Sequence, residues 1–197
     1  MEYKALFAIL SAALAFISYI PYAHDMLRGR TKPHLYTWLI WSITTGTATV
    51  ALWYGGGGYG AISQTFATIL TVLFLILSFR YGTKNVTRGD TAVLAIALLA
   101  IVLWWLLDNP LLAVFMVTGI DVFGYIPSYR KSFEEPWSET VFSWFLFTLS
   151  NTFALLSLSE YNLLTTTYLL VAGVATNLVL ILICLVRRLT VPKPASR

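Results

Sequence analysis

Asp121 lies well inside an apolar stretch, and no other acidic residue of the chain does. Counted from Pro110 at ~1.5 Å per helical residue it sits ~17 Å in, past the middle of a ~30 Å hydrocarbon core. A carboxylate at that depth costs ~2.5–3.5 kcal/mol on insertion scales, so it must face a bundle interior or a wet cavity. No basic residue lies at comparable depth. Its chemistry is therefore proton coupling or direct contact with a solute, the alternative being an acid that braces its own helix through Thr118 or Ser18. Three amides share this apolar setting: Gln64, Asn151 and Asn177. Trp38, Trp41, Ser42 and Thr45 fall at i, i+3, i+4 and i+7, one face of a helix. Trp144, Phe147, Thr148 and Asn151 repeat that spacing. Hydroxyls and amides on such a face can bond a ligand while flat rings stack on it. Interface anchoring for Trp38 and Trp144, and interhelical hydrogen bonds of ~1 kcal/mol for the amides, are the competing explanations.

The elements that must position these groups follow from composition. Of 197 residues, 58% are hydrophobic and 11% charged, and mean hydropathy is +0.75. A soluble domain needs roughly a quarter of its residues charged, so the outer surface of this chain faces lipid. Apolar runs cover 3–22, 35–54, 59–79, 91–107, 111–127, 140–158 and 163–186. They predict an all-α bundle of seven transmembrane helices. The first run is too long, and lacks the small-residue cleavage pattern, for a removable signal peptide. The net charge of +4 is not a nucleic-acid signal, because 12 of the 13 Lys and Arg residues fall in loops on one face of a seven-span chain. The positive-inside rule then places the N-terminus outside and the C-terminus in the cytoplasm, in a prokaryotic inner or plasma membrane. The lone cysteine, Cys184, lies in the last run and reads as a packed small residue.

The runs repeat. Tyr19-Ile20-Pro21 recurs as Tyr125-Ile126-Pro127, 106 residues later, and Trp38, Ser42, Thr45, Ala48 and Leu52 pair with Trp144, Thr148, Asn151, Ala154 and Leu158 at the same offset. Two three-helix units, 1–88 and 110–197, are predicted, joined by a linker helix over 89–109. Three is odd, so the linker span is what lets both units point the same way. Pro21 and Pro127 each remove a backbone donor and are either a matched pair of hinges or helix ends at the interface. The first cytoplasmic loop (His24, Arg28, Arg30, Lys32, His34) and its counterpart (Arg130, Lys131, Glu134, Glu135, Glu139) carry opposite net charge, which is read as solvated topology signals rather than an inner gate.

A proline closing the first helix of each unit, then a basic loop, then an aromatic-rich second helix, in a three-plus-one-plus-three order, resembles the PQ-loop class. That class includes SWEET sugar carriers, cystinosin-type exporters and, more distantly, PnuC-type vitamin transporters. The motif covers 19–45 and 125–151, and the name-giving glutamine is replaced by Tyr22 and Ser128. The resemblance implies alternating access around a midplane site between parallel repeats. It assigns hinge roles to Pro21 and Pro127 and makes Asn177 the third-helix asparagine of the substrate site, with Gln64 or Thr71 as the partner from the first unit. The expected function is thus small-molecule transport of a sugar, amino-acid-like solute, nucleoside or vitamin. The expected substrate residues are Trp41, Thr45, Gln64, Trp144, Asn151 and Asn177, with Asp121 for proton coupling. A receptor or sorting protein that binds without moving its ligand is the alternative. A retinal light sensor is excluded, since 163–186 contains no lysine. No enzyme, metal or cofactor is expected, for no His/carboxylate cluster and no base beside a nucleophile occurs within the spans. The bilayer, a solute and a homo-oligomeric copy are the expected partners.

Overall fold

The computed structural model describes residues 2–28, 33, 35–82, 88–134, 136–138 and 141–192. The predicted loop charges Arg30, Lys32, His34, Lys84, Glu135, Glu139, Lys193 and Arg197 lie outside them. The described residues form an all-α bundle: α1 (Glu2–Leu27), α2 (Leu35–Tyr54), α3 (Tyr59–Tyr81), α4 (Arg88–Leu107), α5 (Pro110–Gly124), α6 (Ile126–Glu134), a 3-10 turn (Pro136–Ser138), α7 (Val141–Leu156), α8 (Leu163–Tyr168), a π segment (Leu169–Ala175) and α9 (Thr176–Arg188). Glu2–His24, Tyr59–Tyr81 and Leu163–Arg188 are long and apolar enough to cross a membrane, and 91–107, 110–124 and 141–156 are shorter apolar helices. The chain is an integral membrane protein. Polarity is inverted accordingly. Leu6, Ile9, Ile69, Ile76 and Leu182 point outward, while Ser11, Ser18, Thr44, Gln64, Thr71, Thr118 and Asn177 are buried.

Helix α2 is long but less apolar than the three full spans, because Thr37, Ser42, Thr44, Thr45, Thr47 and Thr49 interrupt it. With no water to bond them, these hydroxyls turn to carbonyls one turn back: Ser42 Oγ donates to Trp38 O at 2.7 Å, Thr45 Oγ1 to Trp41 O at 2.6 Å and Thr49 Oγ1 to Thr45 O at 2.8 Å. The same device recurs 106 residues on, where Thr148 Oγ1 donates to Trp144 O at 2.9 Å and Asn151 Nδ2 to Phe147 O at 2.9 Å.

The packing has a matching regularity. Helix α3 packs against both α1 and α2, and the α8–π–α9 rod packs against both α5 and α7. Across the middle α1 meets α7 and α2 meets α5, while α4 lies against α2 and α5. At one end the Gly55–Gly58 turn docks on the loop before α8. Ser159 N donates to Gly57 O at 3.0 Å, and the Asn162 side chain, which caps α8, donates to Gly55 O at 2.8 Å. Gly58 has φ +56, and a side chain on it would run into Ser159. Beneath that turn Leu52, Ala61, Ala154, Leu158 and Leu169 close the end as one buried cluster.

The opposite end carries basic residues, and two of them are bound to the chain. Arg187 Nε donates to Phe133 O at 2.9 Å with its guanidinium 4.2 Å from the Phe133 ring. Arg188 Nε donates to Pro136 O at 3.1 Å and lies 4.7 Å from the Trp137 ring. They clamp α6 and the following turn onto the end of α9. Pro21 sits inside an unbroken α1 that continues to Leu27. Pro127 occupies the second position of α6, which follows α5 across Tyr125, itself in helical conformation with its N–H on Asp121 O at 3.2 Å. Neither proline ends its helix.

Gly60 is a close approach on which this packing rests: a Cβ there would stand 2.6 Å from Leu158 Cδ2 and 2.9 Å from the Ala154 carbonyl. Gly60→Val is expected to destabilise the protein by ~1–3 kcal/mol, read as a lower unfolding midpoint in detergent. Gly46→Ala, with nothing within 4 Å of the new Cβ, is expected to leave the midpoint unchanged or raise it slightly.

Candidate functional site

A cavity of about 480 Å³ lies between the helices, walled by α1, α2, α3, α5, α7 and the α8–π–α9 rod. It extends from Ser11, Gln64 and Tyr168, near the closed glycine-turn end, to Pro21, Tyr22, Trp38 and Trp144, near the basic end. Every expected substrate residue is on its wall: Trp41, Thr45, Gln64, Trp144, Asn151 and Asn177. Asp121 and Pro21 line it as well.

The wall is built from register-matched pairs. Ala15 faces it opposite Asp121, Tyr19 opposite Tyr125, Trp38 opposite Trp144, Trp41 opposite Phe147, Thr45 opposite Asn151 and Thr71 opposite Asn177, each pair 106 residues apart. The hydrogen bonds keep this register too. Tyr19 OH pairs with Thr71 Oγ1 at 3.2 Å, and Tyr125 OH donates to Asn177 Oδ1 at 2.9 Å. Thr71, rather than Gln64, is thus the counterpart of Asn177. The two tyrosines head the Tyr-Ile-Pro motifs but carry no predicted role; extending the 106-residue offset ungapped into the third helix of each unit would have found both bonds. Near the basic end Tyr19, Trp38 and Phe74 stack, with ring centroids 4.8 Å (Tyr19–Phe74) and 5.0 Å (Trp38–Phe74) apart. Trp38 is therefore a buried core ring rather than an interface anchor.

Asn177 differs from expectation in a second way. Its Nδ2 donates to Gly173 O at 2.6 Å while Oδ1 accepts from Tyr125, so both ends of its amide are committed within the protein. Gln64, 5% exposed, makes no hydrogen bond to the chain among the described residues and presents its amide to the cavity. Asn151 has its N–H on Phe147 O and keeps Oδ1 as an acceptor on the wall. Gly173 makes room for it, since a Cβ there would lie 2.6 Å from Asn151 Cγ.

Asp121 is buried, and its partner is neither Thr118 nor Ser18. Tyr168 OH donates to Asp121 Oδ2. Thr118 Oγ1 and Asp121 Oδ1 are buried without a hydrogen bond among the described residues, and Ser18 Oγ donates to Ala15 O at 2.6 Å. Thr44 lies beside the pair with its hydroxyl on Trp41 O at 3.2 Å.

Tyr168 reaches the carboxyl because of the π segment. Over 175–186 the pattern of buried and exposed positions repeats that of 69–80 at eleven of twelve places. Before the π segment the offset falls to 105: buried Gly60, Ser63 and Gln64 align with buried Thr165, Tyr168 and Leu169. One extra residue has entered the last span, and the wide turn, in which Thr176 N bonds Val171 O, absorbs it. At the uninterrupted offset Tyr168 would match outward-facing Ile62.

The Tyr168–Asp121 bond should be readable as coupling. Tyr168→Phe leaves the carboxyl without a donor and is expected to cost ~1–3 kcal/mol; in an Asp121→Leu background it should cost much less. A double-mutant cycle by unfolding in detergent measures the difference, and additive losses would refute the bond.

Compared with models of known protein families, with curated proteins and with solved structures, the chain matches none.

Proposed function

We propose that this protein is a small-molecule membrane carrier of the SWEET-like kind, with seven spans in two parallel three-helix units joined by α4, working by alternating access. The observation that carries this reading is the cavity on whose wall six pairs of residues recur at the 106-residue offset. A shared cavity between two like halves can be exposed to either side by rocking one half on the other. The glycine-turn contact closes one end, and it consists of two hydrogen bonds and a small apolar cluster, a set that can part and re-form. Orientation follows the charges, with the N-terminus outside and the basic end cytoplasmic. Asp121 is assigned to proton coupling, as the ionisable acid on the cavity wall.

The test is uptake into proteoliposomes over a panel of labelled sugars, amino acids, nucleosides and amines. Asn151→Ala and Gln64→Ala are each expected to lower transport at least tenfold, and Asn177→Ala to lower it through the lost Tyr125 contact. Unchanged uptake in all three would remove the proposed site. Solute binding with no flux would favour a receptor instead. In the same vesicles a pH gradient should accelerate uptake by the wild type, and Asp121→Asn should abolish that dependence.

A further inference from the structure

The donors and acceptors on the cavity wall are unequal. The hydroxyl hydrogen of Thr45 is committed to Trp41 O, that of Thr71 to Ala67 O at 3.0 Å, and that of Ser150 to Ser11 O at 2.9 Å. One amide hydrogen of Asn151 is committed to Phe147 O. What the three hydroxyls and Asn151 Oδ1 still offer the cavity is lone pairs. Asp121 adds a carboxyl, and Gln64 an amide with no partner in the chain among the described residues. Against this, the donors left are the Gln64 N–H2, the second amide hydrogens of Asn151 and Asn177, the Trp41 indole and the Tyr22 and Ser143 hydroxyls, and no Lys, Arg or His is among the described lining residues.

We infer that the solute is a protonated amine carried on a flat ring, bound as a monocation. This rests on reading the cavity as a solute site. An ammonium brings three donors and no acceptor, the complement of an acceptor-rich wall. Its charge is favoured by Asp121 and by the faces of Trp41 and Tyr19, which attract cations through the ring quadrupole. A carboxylate-bearing solute would meet Asp121 and find no basic residue. A zwitterion gains at one end and loses at the other. A neutral sugar brings no positive charge to Asp121.

The probes are phenethylamine, its neutral isostere 2-phenylethanol, the anion 3-phenylpropionate, and glucose, titrated into the full-length protein in detergent and followed by tryptophan fluorescence. Phenethylamine is expected to saturate the signal at a concentration at least tenfold below that needed for the other three. Asp121→Asn should weaken the amine at least tenfold and leave the alcohol unchanged, and Asp121→Glu should restore part of the loss. Equal binding of amine and alcohol, tighter binding of glucose or the anion, or no binding of any probe would overturn the inference. The amine–alcohol comparison in wild-type protein stands even if Asp121→Asn does not fold. Amine binding without flux in proteoliposomes would overturn the carrier and leave the ligand class, whereas flux of neutral solutes alone would do the reverse.

Discussion

A polar group surrounded by hydrocarbon must find its partner inside the protein, and the rest of this structure follows from how that demand is met. Threonines and serines of α2, α3 and α7 bond carbonyls three or four residues back, so helices with many hydroxyls still hold together without water. This local solution costs each hydroxyl its proton. It fixes which face of the helix turns inward, and it leaves oxygen lone pairs as what the interior can offer. The polarity of the cavity is thus a by-product of stabilising the helices that enclose it.

Groups that a backbone carbonyl cannot satisfy pair between helices instead. Tyr19 with Thr71 ties α1 to α3, Tyr125 with Asn177 ties the end of α5 to α9, and Tyr168 with Asp121 ties α8 to α5. Each bond joins segments whose backbones would otherwise touch only through dispersion, and at ~1 kcal/mol apiece they select an arrangement more than they stabilise it. The second unit holds the stronger polar residues at three matched positions, with Asp121, Asn151 and Asn177 where the first has Ala15, Thr45 and Thr71. Likeness of shape and difference of chemistry coexist in one cavity.

The helical class, the membrane setting and part of the cavity wall were legible in the sequence, because apolar run length and a constant offset survive without knowledge of contacts. Trp41, Thr45, Trp144 and Asn151 came from the spacing alone. What was not legible has physical causes. Tyr168 stands near the start of an apolar run, where a tyrosine reads as an interface anchor, and a one-residue slip hides its alignment with the buried positions of α3. Asn177 was correctly placed on the wall, but its Tyr125 partner required knowing that the third helix of the unit packs back on the first. Both Tyr-Ile-Pro tripeptides lie in helical chain, in α1 and at the α5–α6 junction, which the tripeptides alone did not decide.

The π segment also makes the last span two rods instead of one. Above it α8 leans on α5 and α2, and below it α9 is held by α6, α7 and the Arg187–Arg188 clamp. A stretch of wide helical turn is slack stored in a rod, and it works as an expansion joint does. The portion bonded to Asp121 can slide or rotate by a fraction of a residue while the clamped portion stays still. Strain entering at the glycine-turn end would be taken up at 169–175 before it reached the basic end.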